Sequence, residues 1–206
     1  MLRSEYSDMI MITVGAAKEK MFVYRDIFYQ RSKLFRTTLG QELRTNNIHL
    51  PQADLKTCHV YIAWVYGERK KSVSAICAEM RGGQDLDWIQ LWLSGAVFGE
   101  NEFINHVMDD IVDFKDTQRA LIGAKSLRLG VKGSAPGTGL RRWIIDHIAA
   151  LAAPEEMKCL TSWLPADVQA RILERSTGIL GFSQAKSVPS LRNKCWYHEH
   201  APGEPN

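Results

Sequence analysis

Apolar residues run together at 9–14 (MIMITV) and again at 21–24 (MFVY). Both runs have strand length, and the polar GAAKEK between them reads as a hairpin connection. Past residue 25 the period changes. Ile27 and Phe28, Leu34 and Phe35, and Leu39 recur at helical spacing, which predicts two helical pieces with Ser32 capping the second. IHLP at 48–51 predicts a brief strand ended by proline. From there helices dominate. Asp54 is the expected cap of a helix over 55–66, with Leu55, Val60, Ile62, Ala63 and Trp64 dense enough for burial. Asp85 is the expected cap of the next, with Leu86, Ile89, Leu93 and Val97 as one stripe. Asn101 opens a third, with Ile104, Val107, Met108 and Ile111 at core spacing. Strands first and helices afterwards predict an α+β fold rather than a parallel βαβ arrangement.

The pattern loosens beyond residue 116, where Leu127 and Leu129 are weakly apolar. It tightens again over Leu140, Ile144, His147, Ile148 and Leu151, an amphipathic helix. Trp163 to Pro165 punctuate the chain before 168–173. The residues from 184 onward, rich in Ser, Pro, Lys and Asn, read as a flexible tail. No internal repeat is visible. The expected division is a domain over 7–115, a helical extension over 116–183 and the tail over 184–206.

Composition narrows the function classes. With 206 residues, 45% hydrophobic, the chain can bury one substantial core. A net charge of +3 falls short of the clustered basic stripe of a nucleic-acid binder, and Arg69, Lys70 and Lys71 read as a solvated connection. No segment approaches 18 apolar residues, and no signal peptide is evident, so an intracellular protein, cytoplasmic or nuclear, with no membrane partner is expected. Cys58, Cys77, Cys159 and Cys195 lie far apart without a CxxC pair, so reduced structural thiols are expected.

Two stretches invite chemistry. GSAPGTGLRR at 133–142 approximates a phosphate-binding loop, in which glycines turn backbone N–H groups toward phosphates while a Lys and a Ser/Thr complete the site. Here Leu140 stands at the Lys position, Arg141 at the Ser/Thr position and Ser134 at the first Gly. The expectation is a loop in which Thr138 caps the following helix, and no nucleotide cofactor. CWYHEH at 195–200 places Cys195, His198 and His200 within six residues, but a structural zinc site takes four ligands and no second pair is evident, so no metal is expected. His49, His59, His106 and His147 are scattered one per element, and Asp109 and Asp110 are read as a solvated helix face. No nucleophile–base pair stands out, so no catalytic residue is assigned.

The order of these motifs resembles the BTB/POZ domains, in particular the short stand-alone members found in fungi. The residues that carry it are Ser7–Met9, FVYRD at 22–26, QRSKLFR at 30–36, IHLP at 48–51, IAWVYG at 62–67, LW at 91–92 and VMDDI at 107–111. The likeness extends through SLRLGVKGSAPGTGLRRWIID at 126–146 to Leu164 and Pro165, or about residue 175. It implies a short sheet with stacked helical hairpins and a helical extension, acting as a non-catalytic adaptor. Its partner would be a protein: a second copy of itself, or a cullin scaffold of a ubiquitin ligase. Partner-facing positions implied by the resemblance are Arg25, Asp26, Gln41, Leu43, Tyr66 and Glu68. Tyr24 stands where the family usually has His. Thr45, two residues after Leu43, replaces the acidic residue of cullin-binding members and counts against that partner.

Overall fold

The computed structural model describes residues 8–41, 46–51, 53–67, 70, 72–79, 87–118, 121–181 and 194–200. The fold is α+β, with a small mixed sheet and a larger set of helices. Strands β1 (Met9–Val14) and β2 (Glu19–Tyr24) pair antiparallel, Met9 opposite Tyr24 and Val14 opposite Glu19. Gly15, at φ 67°, enters the turn in the left-handed region, which glycine adopts without a Cβ penalty. Helices α1 (Arg25–Arg31) and α2 (Lys33–Gln41) then carry the chain to β3 (Asn47–Leu50), which runs parallel to β1. A parallel return needs such a crossover. The sheet order is β2-β1-β3.

Helices α3 (Leu55–Tyr66), α4 (Val73–Glu79), α5 (Trp88–Phe98) and α6 (Asn101–Gln118) follow. After them come α7 (Ala124–Gly133), α8 (Gly139–Leu151), α9 (Pro154–Thr161) and α10 (Ala166–Gly181), and finally a 3-10 turn at Lys194–Tyr197. The chain divides into two compact units, Met1–Leu86 with Ser94–His106, and Asp87–Leu93 with Val107–Asn206.

In the first unit the sheet buries one face through Ile10, Ile12, Val14, Met21, Val23 and Ile48. Alternation along the strands leaves Met9, Met11 and Phe22 on the other face. Aromatic rings dominate the helical part of this core. Phe28 lies 4.7 Å from Phe35, Tyr61 stacks on Phe98 at 4.4 Å, and Trp64 meets Phe103 edge-on at 5.2 Å. Helix starts follow the predicted caps. Asp54 accepts from the Thr57 N–H at 3.1 Å, and Ser32 Oγ accepts from the Phe35 N–H at 3.3 Å. At α5 the cap is Asp87, whose Oδ1 accepts from the Ile89 N–H at 3.0 Å; the expected cap, Asp85, lies outside the described residues. Val97, expected on the buried stripe of α5, is exposed, because that helix is apolar almost all round and buries Leu91, Trp92 and Phe98 instead.

The second unit is helical. α8 is its hub, with Leu140, Trp143, Ile144, Ile145 and Ile148 all buried, and it packs against α7 and α10. Helices α7 and α9 have no counterpart in the sequence reading. α9 begins on Pro154, and Glu156 reaches back to accept from the Ala153 N–H at 2.8 Å. Among the described residues no helix is long and apolar enough to cross a membrane.

Candidate functional site

Of the positions expected to face a partner, Arg25 and Tyr66 fall on the seam between sheet and helices in the first unit. Arg25 opens α1 on the heels of β2. Its Nε donates to Asp8 Oδ2 at 2.6 Å, and its guanidinium also donates to Asn46, just ahead of β3. The side chain is 17% exposed, so Arg25 is committed to tying the strand ends together. Asp26 is exposed in the first turn of α1, where a carboxylate suits the positive end of the helix. The Tyr66 hydroxyl accepts from the Tyr24 N–H at 3.0 Å, and its ring meets Phe28 edge-on. Arg31 donates to the carbonyls of Val65 and Tyr66 at the end of α3. Gln41 ends α2, while Leu43 and Glu68 lie outside the described residues, as does Thr45. The structure therefore brings Arg25 and Tyr66 to one seam, as fasteners.

What does project from this unit is apolar. Phe22 is 60% exposed and Met9 48% exposed, on the outer face of the hairpin. The register sets Met11 opposite Phe22 and Met9 opposite Tyr24, so sulfur and aromatic side chains share the outer side of the β1–β2 hairpin. The apolar runs 9–14 and 21–24 predict the strands but not which face Met9 and Phe22 occupy.

Below the surface is a polar cluster that the sequence reading did not anticipate. Ser32 Oγ lies 2.6 Å from the Tyr61 hydroxyl, and buried Glu100 accepts from that hydroxyl and from the Lys33 N–H. It joins the start of α2 to α3, and each buried polar group finds a partner, as burial requires. His106 and His147 are likewise satisfied. His106 Nδ1 accepts from Trp64 Nε1 at 3.0 Å, and His147 Nε2 accepts from the Ile122 N–H at 3.3 Å.

Compared with protein families, curated proteins and solved structures, the chain matches none.

The glycine-rich loop of the second unit behaves as predicted at Thr138, whose hydroxyl accepts from the Arg141 N–H at the start of α8. Arg141 is buried, and its guanidinium turns inward. It donates to the carbonyls of Val131 and Ser134 and, at 3.2 Å, to Ser134 Oγ. A cation there satisfies carbonyls left free at the C-terminal end of α7. Burial lowers its pKa from the usual guanidinium value. The position an incoming phosphate would take, the first N–H of α8, is held by the chain's own Glu199, which accepts from Gly139.

Glu199 belongs to residues 194–200, which composition alone assigned to a tail. These residues form a strap on α8 and α6. Tyr197 is completely buried and donates to Asp146 Oδ2 at 2.8 Å. Lys194 pairs with Asp113 at 2.6 Å, and His198 Nε2 meets Asp109 Oδ1 at 2.9 Å. The Arg142 Nε donates to the Trp196 carbonyl at 2.9 Å. Asp109 and Asp110, expected on a solvated face, are thus a strap anchor and a buried residue. The strap also gathers Cys195, His198 and His200, whose candidate ligand atoms all lie within 4.8 Å of one another. Asp146 has its pKa raised by burial, in opposition to Tyr197, Arg175 and Arg142, which favour the carboxylate. At Cys58 burial, with Asp54 nearby, pushes the thiol up to about 12, so it stays protonated and inert.

Proposed function

We propose that the chain is a BTB-type protein-interaction module without a reaction of its own, and that its first partner is a second copy of itself. The observation that carries the reading is the outer face of the hairpin, where Phe22 on the outer strand β2 and Met9 on the neighbouring β1 stand exposed. Exposed apolar side chains on the outermost strand among the described residues suit strand addition. The edge itself is suited to it. Tyr24 turns its N–H away from β1 to the Tyr66 hydroxyl, so alternation turns the N–H groups of Lys20 and Phe22 to that same side, away from β1. An antiparallel pairing of β2 with its copy, centred on Phe22, is self-complementary. Phe22 then faces Phe22 of the other copy and exchanges both backbone bonds with it, Met21 faces Val23 on the inner side, and the Tyr24 N–H stays with the Tyr66 hydroxyl. A two-fold interface requires that kind of symmetry. The paired hairpin, the parallel return of β3 and the helices after it also agree with the short sheet and helices that the BTB/POZ resemblance implies.

Light scattering across the micromolar range tests this. The expected result is a dimer that Phe22→Asp converts to monomer, with the circular dichroism unchanged. An exposed substitution of this kind shifts folding stability by about 0.5 kcal/mol or less. A strict monomer at every concentration, or a dimer indifferent to Phe22→Asp, would remove the reading.

A further inference from the structure

The strap on α8 carries a feature that partner docking does not use. Within 195–200 the 3-10 turn and the His198 N–H to Cys195 carbonyl bond (3.1 Å) fold the backbone back on itself. Cys195 Sγ comes to 3.3 Å from His200 Nε2, and one ring nitrogen of His198 joins them within 4.8 Å. All three side chains are half-buried, so they are held yet open to an ion from solvent.

We propose that Cys195, His198 and His200 bind a Zn²⁺ ion, with water in the fourth position. Three arguments converge. Zinc bonds of about 2.3 Å to sulfur and about 2.0–2.1 Å to nitrogen set neighbouring tetrahedral ligands roughly 3.5 Å apart, and the Sγ to Nε2 separation of 3.3 Å is close to such an edge. One thiolate and two imidazoles form a donor set for zinc rather than for the oxygen-seeking Mg²⁺ or Ca²⁺. His198 is bonded through Nε2 to the Asp109 carboxylate, which leaves Nδ1 as the ligand atom. Carboxylate support of this kind orients a ligating imidazole and raises its basicity.

The frame is preset by contacts that the ion does not make. Tyr197, between the first two ligands, is locked into α8 through Asp146, and Glu199, between the two histidines, is held at the Gly139 N–H. Residues lying between the ligands in sequence therefore anchor the segment independently of the ion. Binding converts the Cys195 thiol to thiolate and releases its proton to solvent, so affinity rises with pH.

Titration of the metal-free full-length chain with Co²⁺, followed by Zn²⁺ displacement, tests the site. One ion per chain is expected, with the sulfur-to-cobalt charge-transfer band and the visible absorption of a tetrahedral site. Cys195→Ser abolishes the band, whereas Cys159→Ser, at an exposed thiol, keeps it. His200→Gln weakens binding, and Asp109→Asn weakens it about 10–100-fold without removing a ligand. Zn²⁺ raises the melting temperature of the wild type and leaves that of Cys195→Ser unmoved, and near-ultraviolet circular dichroism confirms that each variant is folded. Absence of a thiolate band, or equal affinity in the wild type, Cys195→Ser and His200→Gln, would overturn the proposal, as would a band that follows Cys159. None of these outcomes depends on the oligomeric state.

Discussion

The sheet and the strap are both short pieces of chain held by hydrogen bonds and one buried face, but they draw on partners of different range. In the hairpin, Met9 pairs with Tyr24 and Val14 with Glu19, residues separated by one turn. In the strap, Tyr197 depends on Asp146, 51 residues earlier, and His198 on Asp109, 89 residues earlier. A hairpin is specified by its own alternation. A docked strap is specified by a receptor that must exist first, so its stability resides in α8 and α6 as much as in itself. The outward surfaces differ in the same way. The hairpin exposes Phe22 and Met9, while the strap spends its aromatic, acidic and basic groups on its own unit and exposes Trp196 beneath Arg142 and Arg175.

The largest effect that separates the two is expected at Gly139. A Cβ there would overlap the Tyr197 carbonyl. On a helix with no strap, Gly→Ala is stabilising by about 0.5–1 kcal/mol. With the strap seated, Gly139→Ala forces a shift typical of overpacking and destabilises by about 1–3 kcal/mol. Chemical denaturation reads the sign directly, and a stabilised variant would mean that the strap is not docked. A purely local change in the first unit should cost less. Asp54→Ala removes the cap of α3 and is expected to cost about 1 kcal/mol in the same assay.

The smallest effect is in pH dependence. Burial raises the pKa of Asp146 above its ordinary 3.8. A group raised in the folded state contributes its full stability below the ordinary value and loses it as pH climbs through the raised one. Asp146→Asn keeps an acceptor for Tyr197 and has no such loss. The stability difference should therefore move in favour of the variant as pH rises from below 3.8 through that window. A difference that stays flat would contradict burial as the dominant cause.

How legible each part was in the sequence follows the same division. Strands β1, β2 and β3 and helices α3, α6 and α8 announce themselves by period, and Ser32, Asp54 and Thr138 by cap chemistry. α9 was not legible because it buries one residue, Leu160, which leaves no stripe to read. α7 was obscured by glycines at 130 and 133, and α4 by having two buried positions, Val73 and Ile76. Arg141 looked like the wrong residue in a phosphate loop, since a linear motif does not show that its donors turn inward. The strap read as a tail because Tyr197 has no periodic neighbour, and its burial depends on groups far away in the chain. Arg25 and Tyr66, expected to face a partner, bond to Asp8, Asn46 and the Tyr24 N–H, contacts that no linear motif displays. The signal that would have found Phe22 was present: in β2 it alternates with Met21 and Val23, so one of the two faces had to expose an aromatic ring.

The most direct test of the interaction reading is amide hydrogen exchange along β2 as a function of protein concentration. If β2 pairs with its copy, the Phe22 amide, turned away from β1, gains protection as concentration rises, while the amides of Met21 and Val23, already bonded to β1, hold steady. Exchange at Phe22 that stays fast and unchanged from dilute to concentrated protein would contradict it.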